Sequence, residues 1–120
     1  MLKSYKDLIV WQKSFKLALE VYRVTKKFPK SELYGLTSQM RRAAFAIPSN
    51  IAEGYARKHR AEYIQFIRIA FASGAELETQ ILITKEVGLL EEKDFKKLDD
   101  LLTEVMKMLN TLIKRLETRE

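Results

Sequence analysis

Residues 92–117 read EKDFKKLDDLLTEVMKMLNTLIKRLE, and within them Phe95, Leu98, Leu102, Val105, Leu109, Leu112 and Leu116 recur at alternating steps of three and four. That spacing is the period of an α-helix with an apolar stripe of the kind bundles use to meet their neighbours. The opposite side carries Lys, Asp, Glu, Thr and Asn. Upstream, the chain breaks at Phe28-Pro29-Lys30-Ser31, more softly near Arg57 to Arg60, and at Gly88-Leu89-Leu90-Glu91. The breaks leave segments 6–27, 33–58, 61–87 and 92–117, each long enough for a helix of roughly 30 to 40 Å. Short connections between long helices make neighbours antiparallel, so an all-α, up-down four-helix bundle filling one domain, residues 1–120, is expected.

Composition agrees. With 120 residues the chain suits one domain burying roughly two-thirds of its unfolded surface. Hydrophobic residues at 47% with only 4 Gly and 2 Pro exclude a disordered chain and a turn-rich β domain. The 0 Cys exclude disulfides, thiolate zinc and a thiol nucleophile, and the 1 His excludes a multi-histidine metal site. No phosphate-cradling glycine loop or metal-binding helix motif occurs, so neither an enzyme nor a cofactor or metal site is expected. Lysines 3, 6 and 13 interrupt the first residues, so no signal-peptide core forms there. Arg68, Glu76 and Glu78 interrupt the most apolar stretch, so no membrane span is expected and a cytoplasmic protein is the default reading.

Two helices carry surplus apolar surface. The first has a seam of Leu8, Trp11, Phe15, Ala18 and Tyr22 and a second of Val10, Leu17, Val21 and Val24. The third has Tyr63, Phe66, Ala70, Leu77 and Ile81, and beside them Ile64, Phe71, Ala75 and Leu82. Helices that are apolar all round are either central in a bundle or covered by another copy. The second seams, Val10, Leu17, Val21, Val24, Ile64, Phe71 and Leu82, are therefore expected to form a homo-oligomer interface.

Charge is uneven. Residues 1–70 hold 14 Lys/Arg against 5 Asp/Glu, whereas residues 71–120 hold 8 against 11. This asymmetry suggests a basic face aimed at an acidic partner, RNA or DNA being the commonest choice although many basic proteins bind neither. The candidates for phosphate contact are Arg57, Lys58, Arg60 and Arg68 around the second turn, and Lys13, Lys16, Arg23 and Lys27 along the first helix, where a solvated face is the plainer alternative. His59, among these cations, reads as an exposed turn residue. On the second helix Gln39, Arg42, Asn50, Glu53 and Arg57 share a polar arc, with Glu53 and Arg57 spaced to pair at i, i+4. Arg41, Arg42 and the aromatic Phe45 suit a partner protein, although Phe45 equally suits packing on the neighbouring helix. Pro48 lies inside this helix; a kink is expected there, the alternative being a loop presenting Ser49-Asn50.

These residues carry a resemblance. The runs Leu8-Ile9-Val10-Trp11-Gln12-Lys13, Phe28-Pro29, Tyr34-Gly35-Leu36-Thr37-Ser38-Gln39-Met40-Arg41-Arg42-Ala43-Ala44 and Ile47-Pro48-Ser49-Asn50-Ile51-Ala52-Glu53-Gly54 resemble the four-helix-bundle proteins encoded in intervening sequences of bacterial 23S ribosomal RNA genes. The likeness extends through Glu62 to Phe66 and Gly74-Ala75-Glu76-Leu77-Glu78. Ser73-Gly74-Ala75 departs from the usual Gly-Ser order there, which touches packing more than binding. The same family includes the accessory variability determinants of diversity-generating retroelements. The resemblance implies a left-handed up-down bundle, a homopentamer, and a non-enzymatic role binding nucleic acid or, as an adaptor, a partner such as a reverse transcriptase. Gln39, Arg41, Arg42, Asn50 and Glu53 match the family signature.

Overall fold

The computed structural model describes residues 2–118, and its long elements are α1 (Ile9–Thr25), α2 (Ser38–Ala56), α3 (Arg60–Glu86) and α4 (Glu92–Thr118). No strand occurs among the described residues. α1 packs on α2 and α4, and α3 packs on the same two, so α1 and α3 lie across a diagonal of a bundle 48 × 21 × 21 Å in extent. Tyr22 stacks near Phe45, Tyr55 meets Tyr63, and the Arg60 guanidinium donates to the Leu116 carbonyl. The first two contacts join α1 to α2 and the end of α2 to the start of α3, and the third joins the start of α3 to the end of α4.

Local chemistry sets the boundaries. A capping box of Ser4 and Asp7 closes a short 3-10 turn ahead of α1. The first long connection is more structured than its proline suggested. After Pro29 comes a 3-10 turn, then a single π turn over Leu33–Thr37, so regular α-helix begins at Ser38 rather than at residue 33. α2 then runs as one helix through Pro48, and Asn50 is not in a loop: its side-chain amide donates to the Ala46 carbonyl at 2.8 Å. α3 ends where Gly88, at φ +82°, takes the left-handed conformation and Leu89 N–H reaches back to the Thr84 carbonyl. Glycine also permits close helix contact at position 54, where a Cβ would stand 2.6 Å from the Phe66 Cβ.

The core is built from Leu17, Val21 and Val24 of α1, Met40, Ile47 and Ile51 of α2, Ile67, Leu77 and Ile81 of α3, and Leu98, Val105 and Leu109 of α4. This corrects the expected oligomer interface. Val10, Leu17, Val21 and Val24 lie inside the single chain, Leu17 at 0% exposure, and Phe71 packs against the same core. The other seam of α1 is the outward one, with Phe15 and Tyr22 exposed and Trp11 half-buried. The physical reason is shape and polarity: compact aliphatic side chains fill the interior, while Trp and Tyr cover the rim with a polar tip left in water. On α3, Ile64 is half-buried and Leu82 exposed, joined on the surface by Ile69, Ile83 and Val87.

An ion cluster fastens α1 to α4. Asp94, 4% exposed in the first turn of α4, accepts from Lys27 at 2.6 Å and Arg23 at 3.0 Å. Glu20 joins it, bridging Arg23 and Lys97. The Lys27 hydrogen bond foremost, against the opposing cost of burial and with Arg23 in support, holds the Asp94 carboxyl below its usual range.

Candidate nucleic-acid interface

The turn between α2 and α3 is three residues long and unusually basic. Lys58 at its tip has φ +55°, the one left-handed residue other than glycine among the described residues, which turns the chain sharply. His59 follows in extended conformation and places no side-chain cap on the 27-residue α3, whose positive dipole end lies beside the cations.

A hollow of 500 Å³ opens at this end of the bundle. Lys58, His59 and Arg60 line it from the turn, Lys3 enters from the N-terminal segment, and Tyr55 and Tyr63 form its aromatic wall. No acidic residue lines it among the described residues. The two tyrosine rings meet edge to face at 5.8 Å. Burial foremost, with Tyr55 adding to it, pushes the Tyr63 phenol up to about 12, so its hydroxyl remains a donor throughout the neutral range. Fixed cations, helix N–H groups and a neutral phenol together suit an anion such as phosphate.

Five of the basic candidates, Arg57, Arg68, Lys13, Arg23 and Lys27, pair with carboxylates of the chain itself. Arg57 pairs with Glu53 at 3.0 Å and with Glu62 at 3.2 Å, and its guanidinium lies 5.0 Å from the Phe66 ring centre, so it clamps α2 to α3. Arg68 pairs with Glu117, Lys13 with Glu104, and Arg23 and Lys27 with Asp94. Lys16 is exposed with no carboxylate partner among the described residues, and stands apart from the hollow on α1. Of the eight predicted phosphate contacts, Lys58 and Arg60 alone share a cavity. Lys3, Tyr55 and Tyr63 escaped sequence reading; the two tyrosines flank the turn almost symmetrically, a signal that could have found them.

The predicted partner face sits at the other end of α2. Arg41 lies 4.1 Å from the Tyr22 ring centre and donates to Thr25 Oγ1 at 2.9 Å, so it is a fastening between α1 and α2. Phe45 is exposed and stacks on Tyr22, and Arg42 is exposed with no partner among the described residues. Gln39 is likewise exposed. No group of three or more potential metal ligands occurs among the described residues, and no helix among them is long and apolar enough to cross a membrane.

The family model described as 23S rRNA-intervening sequence protein matches residues 6–111. A crystal structure of a protein of unknown function from the S23 ribosomal protein family of Bacteroides thetaiotaomicron VPI-5482 superposes with a TM-score of 0.83 at 24% identity, covering 91% of this chain and 98% of that one. No curated protein matches the chain significantly.

Proposed function

The chain belongs to the 23S rRNA-intervening sequence protein family, and from that premise we propose that it is a non-enzymatic, homo-oligomeric protein that binds RNA or DNA through phosphates. The observation that carries this reading is the hollow at the α2–α3 turn, where Lys3, Lys58, His59 and Arg60 converge beside the start of α3. Concave basic surfaces attract a polyanion through counterion release and carry little base discrimination of their own.

Self-association is supported by a different surface from the one the sequence suggested. Phe15, Leu19, Tyr22 and Phe45 expose apolar area along the α1–α2 groove, while Ile69, Leu82, Ile83 and Val87 do so on α3, across the diagonal. Two unlike patches on opposite sides suit head-to-tail contact, which forms a ring where the rotation between copies closes, and the family resemblance puts that ring at five copies.

The test is binding to a labelled RNA duplex and a DNA duplex over a salt series, comparing the natural protein with a Lys58→Ala/Arg60→Ala variant. On DNA the log-log slope should be about −0.9 per phosphate contacted, and the variant should make it shallower by about one contact or more. Absence of binding at low salt, or a slope the variant does not change, would remove this function.

A further inference from the structure

We propose that Tyr34, with Arg41 and Arg42 beside it, is a stacking platform for an unpaired nucleobase, so that the preferred nucleic acid has an open loop or single-stranded end. The inference rests on the nucleic-acid reading above and narrows it to a substrate class.

The chain has 5 Tyr. Tyr5 meets Trp11, Tyr22 stacks on Phe45, and Tyr55 and Tyr63 face each other. Tyr34 alone has no aromatic partner among the described residues, and it is 92% exposed. It stands on the π turn ahead of α2, where Leu33, also exposed, continues the apolar surface. A fully hydrated phenol ring held on an ordered turn contributes nothing to the core.

Beside it lies a shallow hollow of 420 Å³, bordered by Leu33, Tyr34, Arg41, Arg42 and Phe45 and, among the described residues, by no acidic one. Arg41 is held in place by the Tyr22 ring and the Thr25 hydroxyl rather than by a carboxylate, so its charge is not cancelled locally. Arg42 has no partner at all among the described residues. An aromatic face next to two guanidinium groups matches the needs of one splayed nucleotide: a ring to stack its base, and planar cations for its phosphate or base edge. A paired duplex hides its base faces inside the stack and cannot use Tyr34. Arg42 near the start of α2 and Lys58 in the turn just past its end are separated by most of the helix, which rises about 21 Å from Arg42 to Ala56, a distance one RNA can bridge.

The experiment measures affinity for an RNA hairpin with an open purine loop carrying 2-aminopurine and for a blunt RNA duplex, using the natural protein, Tyr34→Ala, Tyr34→Phe and Lys58→Ala/Arg60→Ala. Tyr34→Ala should weaken hairpin binding ~10-fold or more, leave duplex binding unchanged, and abolish the quenching of 2-aminopurine. Tyr34→Phe should retain all three properties, because the ring and not the hydroxyl stacks. The exposure of Tyr34 makes its variants fold normally, which circular dichroism checks. Unchanged hairpin affinity in Tyr34→Ala, while Lys58→Ala/Arg60→Ala still weakens both RNAs, overturns the stacking platform and leaves phosphate binding intact. Equal loss on hairpin and duplex also overturns it. Failure of the natural protein to bind either RNA at low salt overturns both readings together.

Discussion

Truncating Leu17 and altering Leu19 should have opposite consequences, although the two residues are neighbours on α1. Leu17 is 0% exposed and lies within the cluster that includes Val21, Val24 and Leu98. Leu17→Ala removes three carbons from a site walled by helices that cannot collapse into the gap, and costs about 3 kcal/mol, within the range for buried leucines. For a chain of this size that lowers Tm by about 10 °C. Leu19 is 59% exposed, so Leu19→Lys, a good helix former with an apolar stem, changes monomer stability by about 0.5 kcal/mol or less. It does place a charge in the apolar α1–α2 patch and should dissociate the oligomer proposed above. The assay is thermal unfolding by circular dichroism at several protein concentrations, beside light scattering on a sizing column. Leu17→Ala should lower Tm at every concentration, whereas Leu19→Lys should abolish its concentration dependence. If Leu17→Ala leaves the folded monomer as stable as before and only dissociates the assembly, the assignment of faces on α1 is wrong.

Two further outcomes follow from the ion cluster and the turn. Because Asp94 has its pKa depressed by Lys27, burial opposing and Arg23 assisting, its contribution is present above the unfolded carboxyl pKa and is lost as pH falls through the lower folded value. Urea midpoints should therefore decline below about pH 4, and Asp94→Asn should lower the midpoint at neutral pH and flatten that decline; an unchanged acid limb would show that the cluster contributes nothing. Lys58→Gly should relieve the left-handed φ at the turn and stabilise the protein by about 1 kcal/mol while weakening nucleic-acid binding. A variant both less stable and equally tight in binding would contradict both assignments.

What could be read in advance divides along physical lines. α4 was legible because its buried stripe, from Leu98 through Leu109 to Leu116, stands out against charged neighbours. α1 was legible as a helix but not in its orientation: periodicity gives the angle between two apolar seams and is silent on which turns inward. The seam with larger side chains was read as the core, and the interior took the more compact one. The π turn at Leu33–Thr37 left no periodic signal in so short a stretch. The site was half visible. Lys58 and Arg60 were found from local charge, but their companion Lys3 comes from the far end of the chain. Arg68 was read as a phosphate contact because Glu117, its partner from α4, is near it only in the folded molecule.

The connections have a consequence for the order of assembly. Three residues join α2 to α3 and five join α3 to α4, whereas twelve separate α1 from α2. Closing the longest of these costs about 1 kcal/mol more than closing the shortest, so local contacts favour α2, α3 and α4 collapsing first and α1 docking last. The helix that arrives last is also one of the two with apolar side chains on both sides. Until α1 has buried its aliphatic side, its aromatic side is not yet an outer surface, and encounters between half-folded chains would meet the wrong face. Dilute refolding should thus give the highest yield of correctly folded chain, because it suppresses encounters through the wrong face.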